Sequence, residues 1–153
     1  MTLRDVTEED LSVFFEHQRD SEANHMAAFP ARERAAFMAH WRTKVLGHAS
    51  AGKKTIVVDG RVAGNVVSWE QGGKRLVGYW VGKEYWSRGV ATAALSGFIE
   101  HETTRPLYAY VATHNLGSIR VLEKCGFQCV GEGRWFASAR GAEIDEVTLR
   151  LDA

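Results

Sequence analysis

A chain of 153 residues, 45% of them hydrophobic, has the size of one domain with a sizeable core. Nineteen Lys and Arg balance nineteen Asp and Glu. No global field therefore draws the protein to nucleic acid or to an anionic membrane, and any basic site is local. Two cysteines, Cys125 and Cys129, are too few for a disulfide framework and lack a second pair for zinc. With no apolar leader after Met1 and no run of about eighteen apolar residues, the expectation is a soluble cytoplasmic protein without a metal.

Thr2 to Val6 reads as a short strand, and Thr7-Glu8-Glu9-Asp10 opens a helix with acidic residues where the dipole favours them. Leu11, Phe14 and Phe15 form its buried side. Residues 20–30, with His25, Met26 and Phe29, show no period and read as irregular. From Ala31 the period returns as Phe37, Trp41 and Val45, and this second helix should end near Gly47-His48. Two helices thus precede the main sheet. Lys54 to Val58, the turn Asp59-Gly60 and Arg61 to Trp69 form a hairpin with positive φ at its tip. A second turn at Gln71-Gly72-Gly73-Lys74 leads to a third strand ending at Gly82, which completes an antiparallel meander.

The chain is organised around Val77 to Leu95, which reads as strand, glycine-rich turn and helix. Val90/Ala91, Ala94/Leu95 and Phe98/Ile99 make one apolar stripe at helical period, so the helix starts near Gly89 and runs over 90–102. Its first turn carries unpaired N–H groups and roughly half a positive charge. Gly89 lets a ligand approach the main chain, Ala91 keeps the next turn narrow, and Arg88 offers a cationic fork. That is a phosphate site. It is neither a dinucleotide fingerprint nor a P-loop, since the glycine spacing is wrong and Glu84 stands where Ser or Thr would bind magnesium. Leu107 to Ala112 then forms a strand that a right-handed crossover places parallel to the one before. The segment Asn115 to Phe127 holds a short helix ended by Gly126, and strands Phe127 to Trp135 and Glu143 to Leu151 close the chain as a hairpin around residues 138–141.

The run Trp86-Ser87-Arg88-Gly89-Val90-Ala91 resembles the Gln/Arg-x-x-Gly-x-Gly/Ala signature of the GNAT superfamily of acetyl-CoA-dependent N-acetyltransferases. Trp86 departs from its first position, as in the branch of the ribosomal-protein alanine N-acetyltransferases. Asn115-Leu116-Gly117-Ser118, followed by a helix ending in Gly126-Phe127, resembles the family's second signature. The two lie in the family's order about 25 residues apart. The resemblance implies a single α/β (α+β) domain over 1–153, with a mixed sheet of about seven strands: an antiparallel meander, then a βαβ unit whose parallel strands splay, with helices on both faces. It also implies that Trp80 and Val81 offer backbone bonds to the pantetheine arm of acetyl-CoA. The N–H groups of Arg88, Gly89, Val90, Ala91 and Thr92 would hold the pyrophosphate, and Asn115 would bond the arm from the next strand.

The implied reaction is direct acetyl transfer to a primary amine of a small molecule or a protein N-terminus. An acid must then protonate the departing thiolate, and a base must take the amine's proton. The tyrosine many members use as the acid is Leu122 here. Ser118 takes that role in the ribosomal alanine branch, and Tyr110 on the adjoining strand is the second candidate. Glu70 is the base by strand position, although it stands beside a turn. Plainer roles compete at each position: helix cap for Asn115, helix start for Ser118, core packing for Tyr110, and solvated charge for Arg88 and Glu70. Residues 20–35, with His25 and Phe29, and the last hairpin, with Trp135 and Phe136, would shape a partly apolar acceptor pocket. A non-catalytic acyl-CoA sensor is the alternative, motivated by Leu122, and an interaction domain whose glycines only make turns is a third reading. Monomer and homodimer are both compatible with the sequence.

Overall fold

A computed structural model describes residues 1–27, 31–137 and 142–152. Seven strands, β1 (Thr2–Arg4), β2 (Gly52–Val58), β3 (Arg61–Gln71), β4 (Lys74–Val81), β5 (Leu107–Ala112), β6 (Gln128–Ala137) and β7 (Ala142–Leu151), form one sheet in the order β1-β2-β3-β4-β5-β7-β6. Helices α1 (Asp10–Gln18), α2 (Ser21–Ala27) and α3 (Arg34–His40) precede β2, α4 (Val90–His101) joins β4 to β5, and α5 (Leu116–Lys124) follows β5. The expected α/β architecture is therefore present, with a mixed sheet and helices on both faces. Among the described residues no helix is long and apolar enough to cross a membrane.

Period-2 alternation divides the core into two parts. On one face Ile56, Val66, Val77 and Leu107 pack against Leu95 and Phe98 of α4 and Leu122 of α5. On the other, Phe14 of α1 and Phe37 of α3 pack with Trp41, with Val62 and Val67 of β3 alongside. The first turns behave as read. Asp59 and Gly60 carry φ of 51° and 76°, and Gly126 ends α5 at φ 95°.

One expectation fails. Three helices, not two, precede the sheet, because residues 21–27 of the segment read as irregular are α2. The signal was a cap rather than a period: the Asp20 carboxylate accepts from Ala23 N at 2.8 Å, satisfying an orphan N–H of the first turn. The next helix changes type midway, since α3 continues as a π-helical segment over Trp41–Leu46 and stops at Gly47. Phe29 and the turn at 138–141 lie outside the described residues.

The two ends of the chain's first half are fastened by a buried carboxylate. Asp10 accepts two 2.8 Å bonds from the Arg4 guanidinium, one of 2.9 Å from Thr7 N and one of 2.8 Å from Thr55 Oγ1. Burial would raise this carboxyl, but those four donors outweigh it and hold it at about 2.

The topology places the site at the centre of the sheet. β4 and β5 pair in parallel only at Arg75 with Leu107 and Leu76 with Tyr108. Beyond those pairs the strands diverge. β4 remains bonded to β3 as far as Val81 opposite Gly64, and β5 to β7 as far as Ala112 opposite Glu146. Each strand thus keeps its outer edge paired while its inner edge opens.

Candidate active site

The opening between β4 and β5 is a cleft of about 470 Å³. Its floor is Tyr79, Trp80 and Val81 of β4, one wall is the start of α4, the other is α5, and Ala23 and Met26 of α2 cover it. α2 is held there by Lys83 Nζ, 2.5 Å from a Glu22 carboxylate oxygen and 3.9 Å from one of Asp20.

Between β4 and α4 the chain turns tightly. Ser87 (φ 63°) and Gly89 (φ 74°) are both left-handed, which for Ser87 is a strained conformation of the kind found at ligand clamps. The first intrahelical bond runs from Ala93 N to Gly89 O at 3.0 Å. Val90, Ala91 and Thr92 therefore present N–H groups with no partner inside the helix, and all three line the cleft. A Cβ added at Gly89 would meet nothing within 4 Å, so the space before these donors is open to a ligand. Trp86 has a specific role here. Its Nε1 donates to the Val81 carbonyl at 2.9 Å, bracing the turn against the strand end where the family signature has Gln or Arg. One lone pair of that carbonyl is therefore already used.

Asn115 does two things. Its Oδ1 accepts from Ser118 N at 3.4 Å and caps α5, while the residue also lines the cleft, so its amide N–H₂ is the part left for a ligand. Ser118 lines the same wall, with Arg120 and Lys124 one turn apart beyond it. These two cations give that wall a local positive charge although the chain as a whole is neutral.

Of the residues singled out in the sequence, Trp80, Val81, Gly89, Val90, Ala91, Thr92, Asn115 and Ser118 converge on this cleft. Arg88 does not line it, and its guanidinium lies 5.8 Å over the Tyr85 ring. Tyr110 is 43% exposed on β5 and is not part of the lining. It is neither packed in the core nor turned to the cleft. Glu70 is separated outright. It pairs with Arg75, five residues before Trp80, at the closed end of the sheet and about 17 Å from the opening by strand rise. It is exposed and 4.0 Å from the Arg75 guanidinium, so the assignment of Glu70 as base is withdrawn. Leu122 is 1% exposed within the core below α5. His25 lies on α2, within the covering helix.

Two groups escaped the sequence reading. Tyr79 lines the cleft, and its hydroxyl donates to the Ser118 carbonyl at 3.4 Å. Burial, the largest influence, pushes this phenol up to about 12, so it is a protonated hydrogen-bond donor at neutral pH. Alternation could have found it, since Val77, Tyr79 and Val81 share one face. The other is His17 at the end of α1, packed so close to the strand end that a Cβ on Gly82 would lie 2.7 Å from its Nε2. Its Nδ1 is buried with no partner among the described residues, and burial holds the imidazole below its usual value despite Glu84 at 3.9 Å.

The arrangement matches known proteins along most of the chain. A family model described as an acetyltransferase (GNAT) domain matches residues 1–128. An uncharacterised N-acetyltransferase p20 of Bacillus licheniformis is 26% identical over 164 aligned positions, covering 99% of this chain and 92% of that protein. Among solved structures, the ribosomal-protein-alanine N-acetyltransferase of Brucella melitensis superposes with a TM-score of 0.83 at 16% identity, over 100% of both chains. The spermidine N-acetyltransferase of Vibrio cholerae, solved with CoA and spermine, gives 0.85 at 15% identity over 99% of this chain and 94% of that one.

Proposed function

The chain belongs to the GNAT acetyltransferase family, and from that premise we propose that it transfers the acetyl group of acetyl-CoA to a primary amine by direct attack within a ternary complex. The observation that carries this reading is the open inner edge of β4 and β5 ending at the uncapped first turn of α4. Main-chain groups on that edge need a partner with amides of its own, and pantetheine is such a partner; the turn at 88–92 suits the pyrophosphate. A cleft of about 470 Å³ lies within the range that holds a small cosubstrate. The Vibrio cholerae neighbour, which shares the fold, was solved with CoA.

In the reaction the amine nitrogen forms a bond to the thioester carbonyl carbon, and the carbon–sulfur bond breaks. The amine gives up a proton, and the thiolate takes one and leaves as free thiol. A β4 main-chain N–H near Val81 supports the developing oxyanion. Ser118 donates to the sulfur, relaying a proton through water because a hydroxyl is too weak an acid to act alone. Tyr79, on the floor, donates its one hydroxyl proton to the Ser118 carbonyl and so orients that residue.

Calorimetric titration with acetyl-CoA, followed by thiol release over a panel of amines, tests the proposal. Absence of binding at millimolar ligand removes it. Burial of Leu122 in the core at the position of the family's usual acid supports a second reading, a CoA-binding sensor, for which binding occurs and no amine releases thiol.

A further inference from the structure

Gly82 N donates to Ala63 O at 2.8 Å, so the residue that follows β4 turns its N–H toward β3. In an antiparallel ladder that orientation alternates along the strand. Trp80, opposite Asn65, therefore does the same, whereas Val81 and Tyr79 turn their N–H and C=O groups to the inner edge. Gly64 agrees, since a Cβ there would run into the Trp80 carbonyl oxygen. The main-chain bonds expected of Trp80 and Val81 thus fall to Tyr79 and Val81, and Trp80 spends its own on β3.

Past Leu76 this edge has no ladder partner on β5, yet one of its groups is engaged. The Val81 carbonyl accepts from Trp86 Nε1 at 2.9 Å. Trp86 opens the turn that runs through Ser87 and Gly89, both left-handed, to the free N–H groups of Val90, Ala91 and Thr92. Two other hydrogen bonds of the turn, Tyr85 N to Gly82 O at 2.9 Å and Trp86 N to Lys83 O at 3.1 Å, are local. The indole bond reaches back into the strand, and the Trp86 ring is seated against the main core. It ends on the residue whose own N–H faces the opening. Trp86 therefore stands between the two ends of a bound carrier, with diphosphate donors on one side and the Val81 N–H on the other.

We propose that Trp86 is a positioning residue, a strut that fixes the separation of the diphosphate turn from the oxyanion donor, so that holding the far end of acetyl-CoA places its thioester. The inference rests on the acetyl-transfer reading above and adds to that site a residue acting through Val81. Its consequence is that remote phosphate contacts are converted into rate as well as affinity.

The test measures single-turnover thiol release, with the best amine of the panel, from acetyl-CoA and from S-acetylpantetheine, which has the same thioester and no diphosphate. Trp86→Phe keeps a ring on the core and removes the donor. A second variant carries 3-benzothienylalanine at position 86, where sulfur replaces the indole N–H at nearly the same shape. Both should lower the rate with acetyl-CoA about tenfold, with its Kd within about threefold and the S-acetylpantetheine rate within about twofold of wild type. The advantage of the full carrier then shrinks. Equal losses with both donors overturn the proposal and leave Trp86 a prop for the strand. Unchanged rates with both donors overturn it too, as does a loss confined to the Kd of acetyl-CoA. Failure of acetyl-CoA to bind the wild type removes the acetyl-transfer reading and this one with it, whereas binding and turnover with a donor ratio that neither variant changes removes this one alone.

Discussion

The Tyr79 hydroxyl on β4 donates to the Ser118 carbonyl on α5 at 3.4 Å, so one side chain spans the cleft from floor to wall. The phenol is pushed up by burial to about 12 from a usual value of 10.0. It therefore remains protonated throughout the neutral and mildly alkaline range. Folding stability should be unaffected by this group below pH 10 and should fall as pH rises from about 10 toward about 12, by an amount on the order of 2 kcal/mol. Tyr79→Phe should flatten that alkaline limb in urea melts at stepped pH. Without this brace on the Ser118 carbonyl, the same variant should also lower kcat, by about tenfold. An unchanged kcat would restrict Tyr79 to bracing α5.

Ser118→Ala separates relay from packing. The residue is half-buried in the lining, and its main-chain N–H, which Asn115 uses as a cap, survives the substitution. Affinity for acetyl-CoA should stay within about twofold while kcat falls by about 10- to 100-fold. Single-turnover thiol release is the measurement, and an unchanged rate would leave the proton transfer to solvent or to Tyr79.

Gly89 tests the phosphate turn. At φ 74° any side chain adds backbone strain of about 1 kcal/mol, yet a Cβ meets no atom within 4 Å, so variants fold. Gly89→Ala carries that strain without charge. Gly89→Glu adds a carboxylate before the helix N–H groups. The alanine variant should keep a reduced acetyl-CoA-dependent rise in melting temperature, and the glutamate variant should show none. Equal rises in both would remove the pyrophosphate from this turn.

Asp10 governs acid stability. Its carboxyl sits at about 2 in the fold against 3.8 outside it, a depression that stabilises the native state by about 2 kcal/mol above pH 4. The contribution is lost as pH falls from about 4 through 2. Asp10→Asn should lower stability at pH 7 by at least that amount, since Arg4 loses its partner, and should remove the acid limb. Urea midpoints at pH 7, 4 and 3 decide it.

The half of the molecule that was readable in sequence is the half whose local signals agree with the global fold. Gly82, Gly89 and Gly126 mark boundaries because each sits where the backbone turns, and Val90 to Phe98 shows its buried stripe directly. The covering helix was hidden for a physical reason: α2 is seven residues long and has no apolar period to detect. Its Asp20 cap was the one local clue. Glu70 failed differently. Its strand was identified correctly, but a ladder pairing fixes which end of a strand faces a site, and that pairing is not written in the residue itself. Tyr79 was overlooked because it alternates with core valines and looks like packing until α5 is seen across from it.

Only two residue pairs, Arg75 with Leu107 and Leu76 with Tyr108, join the two halves of the sheet across the centre. That short seam works as a fulcrum, and the aperture toward Val81 and Ala112 is the end of its lever arm. Leu76 and Leu107 are sealed inside the molecule, so side chains that never meet a ligand set how wide the mouth stands. Widening that mouth for a bulkier ligand is thus a matter of repacking the pivot, with the residues at the rim left as they are.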